Sequence, residues 1–141
     1  MFLGEYEYRV DSKGRLPLPP KFRQELGGEL MLTRGAERCI ILYPAAEWHK
    51  LAETLASRAV SPNKLRKLNR VLFGAAFSLT LDRQGRVALP QPLRQYAQIE
   101  DVAVIVGANN CIEIWNPDLW NAEKVSAEEQ VWQIIESLEG Q

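Results

Sequence analysis

Two short segments of this 141-residue chain carry residue types at a spacing suited to gripping a phosphate or a base edge. In Asp11-Ser12-Lys13-Gly14-Arg15 a carboxylate stands four positions before an arginine, and Asp82-Arg83-Gln84-Gly85-Arg86 has the same arrangement. An arginine held in one position can donate two parallel hydrogen bonds to guanine O6 and N7, or clasp a phosphate. Asp first and Gly fourth suit a tight turn: the aspartate accepts a backbone N–H, and the glycine tolerates the positive φ that closes it. Across such a turn the aspartate also brackets the guanidinium. Lys13 and Arg83 sit on the same turns, so each turn keeps a further basic residue but moves it by one place. Asp11, Gly14, Asp82 and Gly85 are therefore expected to build the turns, with Arg15 and Arg86 as the candidate contacting side chains and Lys13 and Arg83 beside them.

Other chemistries find little support. The single histidine, His49, follows Trp48 with Lys50 beside it, and no Ser-His-Asp or Cys-His arrangement can be drawn around it. Asp11 and Asp82 as general acid and base are better explained by their turns. Neither a G-x-x-x-x-G-K-[ST] loop nor an H-E-x-x-H motif occurs. Cys39 and Cys111 lie far apart in apolar stretches without C-x-x-C spacing, which predicts buried thiols rather than a zinc site or redox pair. No enzyme activity, cofactor, metal or small-molecule substrate is expected, and no RRM-type aromatic signature points to RNA.

The elements that must position the two segments come from an internal repeat. One offset of 71 positions aligns Phe2, Val10-Asp11, Gly14-Arg15-Leu16, Leu18-Pro19, Phe22-Arg23-Gln24 with Phe73, Leu81-Asp82, Gly85-Arg86-Val87, Leu89-Pro90, Leu93-Arg94-Gln95. After a slip of one, the match resumes at 72 with Gly35 and Gly107, Cys39-Ile40 and Cys111-Ile112, Trp48 and Trp120. Each copy reads as hairpin, short helix, hairpin and helix. Glu5 to Val10 alternates at period two as a half-buried strand does, Pro17 and Pro19 end the strand after the turn, and Pro20 opens a helix that Gly27-Gly28 stops. Leu30 to Thr33 and Cys39 to Tyr43 read as strands joined through Gly35, repeated by Val102 to Val106 and Ile112 to Trp115. A connector helix opens at Pro44 and runs to about Ala59. Ser61-Pro62-Asn63 interrupts it, and Lys64 to about Phe73 places Leu65, Leu68, Val71 and Leu72 at helical spacing. A last helix is expected over roughly Ala127 to Leu138. The boundaries are a first module at 2–51, a connector at 52–72, a second module at 73–122 and a C-terminal helix at 123–141. One copy has too little core to stand alone, so two copies are expected to swap or pair hairpins about a pseudo-two-fold axis.

Composition sets the class. Apolar residues are 46% and charged residues 25%, as in an ordinary globular domain. No apolar run approaches a membrane span, and Met1-Phe2-Leu3-Gly4-Glu5 lacks the basic start of a signal peptide, so a cytoplasmic location is expected. The net charge of -1 conceals segregation. Arg9, Lys13, Arg15, Lys21 and Arg23 crowd the first turn, and Arg58, Lys64, Arg66, Lys67 and Arg70 the connector, while Glu113 to the end is acidic.

The segment Val10 to Pro19, with a strand before it, resembles an AbrB-type module of the kind that MazE-like antitoxins share. Its duplication, the opening Phe2-Leu3-Gly4-Glu5-Tyr6, and Trp48 matched by Trp120 make the whole chain, Met1 to about Leu138, similar to the MraZ family. The resemblance implies an α+β, β-rich fold of tandem AbrB-like swapped-hairpin modules, forming one pseudo-two-fold, barrel-like core with flanking helices. It further implies a cytoplasmic, nucleoid-associated transcriptional regulator that binds tandem repeats in double-stranded DNA upstream of its own cell-division and cell-wall gene cluster. Subunits would form a ring-shaped homo-oligomer. Carried over by position, Arg15 and Arg86 are the leading DNA contacts, with Lys13 and Arg83 second. The alternative is an antitoxin-like protein-interaction module without specific promoter recognition.

Overall fold

The computed structural model describes residues 1–58 and 60–140. In chain order its elements are β1 (Glu5–Arg9), β2 (Arg15–Pro17), α1 (Pro20–Leu26), β3 (Glu29–Arg34), β4 (Ile40–Pro44), α2 (Ala45–Ser57) and α3 (Pro62–Leu68). A π-helical turn, Asn69–Phe73, leads to β5 (Phe77–Thr80), β6 (Arg86–Ala88), α4 (Gln91–Ala97), β7 (Val102–Gly107), β8 (Ile112–Trp115) and α5 (Pro117–Glu139). The class is α+β and β-rich.

Strand pairing carries the internal symmetry. The larger sheet runs β1-β7-β8-β4-β3-β5, and a separate two-stranded ribbon pairs β2 with β6. Exchanging the copies sends β1 to β5, β3 to β7, β4 to β8 and β2 to β6, which maps both sheets onto themselves. The axis passes through the antiparallel pairs Ile41–Glu113 and Leu16–Val87. The second hairpin of each copy forms as expected, β3 with β4 and β7 with β8.

The first expected hairpin does not form. β1 pairs with β7 and β5 with β3, so each copy's first strand joins the other copy's sheet half. The Asp-x-x-Gly-Arg segments are corners that carry the chain from the large sheet into the ribbon. The physical reason is burial: Tyr6 and Tyr8 pack against the core from β1, while Leu16 is fully buried from β2. Barrel closure is likewise not among the pairings, since the large sheet ends at β1 and β5 and the ribbon stands apart. Pairing also moves one match: Gly107 opposes Ile112 as Arg34, not Gly35, opposes Ile40.

The core fills the space between one sheet face and the ribbon with its short helices. Leu30, Leu32, Ile40, Leu42, Ala103, Ile105, Ile112 and Ile114 point inward at period two. They meet Leu16, Leu18, Val87 and Leu89 from the ribbon strands and their exits, and Phe22, Leu26, Leu93 and Ala97 from α1 and α4. The opposite face carries Val104 and Trp115 with Cys39, packed by Leu119 and Trp120 of α5. Equivalent aromatic pairs sit there, Tyr43 against Trp48 and Trp115 against Trp120, with ring centroids at 5.6 and 5.5 Å.

The connector and termini break the symmetry. Phe2 is buried, bridges to Asn109 and meets Phe22 edge-on at 5.3 Å. Its repeat mate Phe73 instead ends the π turn and packs on Trp48 at 5.1 Å. α2 is helical to Ser57, and Ala59, where the expected helix ended, lies outside the described residues. The last helix starts ten residues earlier than expected and is continuous from Pro117, so the boundary expected at 122–123 falls inside it. Asn116 caps it, its side-chain oxygen accepting from the N–H groups of Asp118 and Leu119 at 2.8 and 3.1 Å. Gln141, the end of the expected C-terminal segment, lies outside the described residues.

Cys39 and Cys111 are free and buried at equivalent places before β4 and β8. Burial raises both thiols, Cys39 strongly and Cys111 up to about 11, so both stay protonated at neutral pH. Native protein is therefore expected to react slowly with a chromogenic disulfide reagent and rapidly once unfolded in guanidinium. Fast labelling of both thiols in the folded state would contradict this burial.

Candidate nucleic-acid interface

Each corner is built by its aspartate. Asp11 Oδ1 accepts from the N–H groups of Lys13 and Arg15, both at 2.9 Å, and the Gly14 N–H returns to the Asp11 carbonyl at 2.9 Å. Asp11 N–H in turn donates to the Arg15 carbonyl at 3.0 Å. Its second oxygen, Oδ2, receives Arg15 Nε at 2.6 Å. The second corner repeats every bond: Asp82 Oδ1 takes the N–H groups of Gln84 and Arg86 at 2.9 Å, and Oδ2 takes Arg86 Nε at 2.8 Å. Gly14 and Gly85 hold φ of 79° and 74°, a region that costs a side-chain-bearing residue strain.

The ribbon brings the two corners together. Arg15 opposes Ala88 and Arg86 opposes Pro17 across β2 and β6. Arg86 Nη1 approaches Asp11 Oδ2 at 3.7 Å, so Asp11 touches both arginines and Asp82 only one. The carboxylate engages Arg15 through Nε, and among the described residues no hydrogen bond takes up its Nη groups, the fork that suits a base edge or phosphate. Both side chains are partly exposed, at 34% and 25%. Lys13 and Arg83 project from exposed turn positions. The ion-pair approach of Arg86 to the other copy's aspartate is not foreseeable from spacing, because nothing local to either turn encodes it.

Comparison with known proteins identifies the family. A family model described as "MraZ protein, putative antitoxin-like" matches residues 1–71 and again 72–134. A Dehalococcoides mccartyi protein named Transcriptional regulator MraZ is 51% identical over 141 residues, covering 99% of each chain. Proteins of the same name from Roseiflexus castenholzii and Halothermothrix orenii are 45% and 40% identical, over 85% and 99% of this chain and 84% and 97% of theirs. The chain belongs to the MraZ family. The junction of the two MraZ matches falls inside the π turn, where the internal symmetry breaks.

The electrostatics of the MraZ corners follow from their hydrogen bonds. The Arg15 N–H, then the Arg15 guanidinium and the Lys13 N–H, hold the Asp11 carboxyl below the ordinary aspartate value of 3.8. The Arg86 N–H does the same for Asp82. A carboxyl lowered on folding adds stability above its unfolded value that is lost as pH falls through the folded one. The corners are thus expected to persist from neutral pH down past 3.8 and to loosen only below it. Following the Arg15 and Arg86 Nε–H signals by NMR through an acid titration checks this; midpoints at or above 3.8 would refute the bracing.

The remaining residues singled out in the sequence lie elsewhere on this MraZ fold. Arg58, Lys64, Arg66, Lys67 and Arg70 are all exposed around α3 and the π turn. His49 is exposed on α2, and among the described residues no group of three or more His, Cys, Asp or Glu could hold a metal ion. No helix among them is long and apolar enough to cross a membrane. Two arginines that sequence reading aligned but gave no role, Arg23 and Arg94, stand against the corners.

Proposed function

We propose that this MraZ-family chain is a sequence-specific DNA-binding regulator of transcription, not an enzyme, acting on the cell-division and cell-wall gene cluster that includes its own promoter. The observation that carries the reading is the pairing of Arg15 and Arg86 on one ribbon, each bonded through Nε to an aspartate at 2.6 and 2.8 Å. Regulation of transcription is what the names of relatives up to 51% identical describe. Arg15 and Arg86 contact base edges or phosphates of double-stranded DNA, and Lys13 and Arg83 add contacts beside them. The protein acts in the cytoplasm on the nucleoid.

One ribbon is a small, salt-sensitive grip, so tandem repeats in the promoter are engaged by a ring-shaped homo-oligomer. α5 supports this. From Val125 to Gly140 every described residue is exposed, including Trp132 at 69% and Leu138 at 64%. A free helix bearing such apolar residues is marginal in water and calls for a partner. Its acids, Glu128, Glu129, Glu136 and Glu139, complement the exposed basic residues around α3 of a second copy. A contact between unlike surfaces propagates head to tail, and it closes into a ring when the rotation between neighbouring copies divides a full turn.

The test is a gel-shift titration on the DNA upstream of the gene against a shuffled fragment, at two salt concentrations, with one repeat and with the full array. Salt-dependent binding to the native array, weaker on one repeat, is the expected result. Equal binding to native and shuffled DNA would leave a non-specific surface, and equal affinity for one repeat and the array would remove the ring. No binding at all would put the antitoxin-like interaction module in its place.

A further inference from the structure

We propose that Arg23 and Arg94 are positioning residues that lock the two corners crosswise, Arg94 of the second copy over the Asp11–Arg15 corner and Arg23 of the first over the Asp82–Arg86 corner. The proposal rests on the reading of those corners as the DNA-contacting surface. Arg23, in the last turn of α1, donates from Nε to the Leu18 carbonyl at 2.9 Å and from Nη1 to the Gln84 carbonyl at 3.4 Å. The first bond is within its own copy and the second reaches the tip of the other copy's turn. Arg94, at the same place in α4, donates from Nε to the Leu89 carbonyl at 3.1 Å.

The glycines show where the guanidiniums lie. A Cβ on Gly14 would come within 2.9 Å of Arg94 Cζ, and one on Gly85 would collide with the Arg23 side chain. Gly14 and Gly85 are favoured by their positive φ, and an arginine side chain from the other copy lies over each of them. Backbone bonds run the same way: the Leu18 N–H donates to the Gly85 carbonyl at 3.2 Å and the Leu89 N–H to the Gly14 carbonyl at 2.9 Å. Arg23 therefore joins α1, the exit of its own ribbon strand and the other copy's turn by hydrogen bonds, whereas Arg94 bonds the exit of its own strand and reaches the other copy's turn by lying over Gly14. Both arginines are half-buried, and among the described residues neither has a carboxylate partner within salt-bridge distance. A planar fork can join two carbonyls in this way, and a lysine ammonium on a flexible stem cannot hold the same geometry.

The consequence is preorganisation. Ser12-Lys13 and Arg83-Gln84 are exposed turn tips, and loosening either would cost the ordering of its arginine at the moment of binding. Because the locks cross, loss of one helix arginine unsettles the corner of the opposite copy rather than its own.

The test combines amide hydrogen exchange with a double-mutant cycle on native promoter DNA, circular dichroism confirming the fold. Arg94→Ala is expected to speed exchange at Gly14 and Arg15 by roughly 5-fold or more as the guanidinium lying over Gly14 is removed, with Gly85 and Arg86 unchanged. Arg23→Ala should do the reverse. In DNA binding, Arg94→Ala should weaken affinity alone, add little to Arg15→Ala, and keep its full effect beside Arg86→Ala. Equal acceleration at both corners, no acceleration, or additivity with both arginines would overturn the crossed lock. Arg94→Gln serves if the alanine variant fails to fold. Arg94→Lys is expected to behave as the alanine variant, and wild-type behaviour would make the role one of charge. If Arg15→Ala and Arg86→Ala leave DNA binding unchanged, the DNA reading fails, while the exchange pattern still decides the lock.

Discussion

Replacing Arg15 and Arg86 together by alanine is expected to remove specific DNA binding while leaving the fold intact. Both side chains lie at the surface of the ribbon, outside the buried core, and their nearest charged partners are themselves exposed or nearly so. A bidentate base contact discriminates by about 1–3 kcal/mol, so each single replacement should cost roughly 10- to 100-fold in specific affinity. The double replacement should cost roughly the product, and more on a tandem array, where every subunit is weakened. The geometry adds a finer expectation about the aspartates. Asp11 Oδ2 lies 2.6 Å from Arg15 Nε and 3.7 Å from Arg86 Nη1, whereas among the described residues Asp82 forms an ion pair with Arg86 only. Asp11→Asn, which keeps an oxygen for the turn N–H groups, should therefore weaken binding more than Asp82→Asn. Fluorescence anisotropy on the native promoter fragment measures all five variants. A folded double-arginine variant that binds as wild type would take the corners out of the interface altogether.

The largest loss of stability is expected for Leu16→Ala. Leu16 is fully buried at the centre of the ribbon, directly opposite Val87, also fully buried, on the pseudo-two-fold axis. Leu16 belongs to the same buried cluster as Leu18, Leu89 and the inward residues of the large sheet, so its removal leaves a space inside the core. The cost should be about 2–5 kcal/mol, lowering the melting temperature by roughly 6–15 °C for a chain of this size. Val87→Ala should follow the same course with a smaller loss. Thermal unfolding followed by circular dichroism gives both values. A loss below about 1 kcal/mol would mean that the ribbon is not packed onto the sheet. Since Leu16 lies between the corners, DNA binding through both arginines should fall in parallel as the ribbon loosens.

Much of the site was legible in the chain because it is local. The Asp-x-x-Gly-Arg spacing encodes bonds that span at most four residues, and all of them are present at both corners. The repeat was equally plain, and it prefigured the exchange of β1 with β5 and of β2 with β6. The start of α5 is local too. Asn116-Pro117-Asp118 is a helix start, and the repeat itself sets Pro117 against Ala45, where α2 begins.

What the sequence by itself determined is the local chemistry: two Asp–Arg corners, short Pro-opened helices, period-two strands and a duplicated plan. Tertiary structure alone decided that the corners join different sheets instead of hairpin partners, that Asp11 serves both arginines, and that Arg23 and Arg94 lie over the opposite copy's glycines. The reason is one of range. A turn is set by φ, ψ and hydrogen bonds among neighbouring residues, and these look the same whether the strands beyond it pair with each other or part. Which strand a strand pairs with depends on where its apolar face is best buried, and for β1 and β2 that place is supplied by residues about a hundred and about seventy positions away, in the other copy.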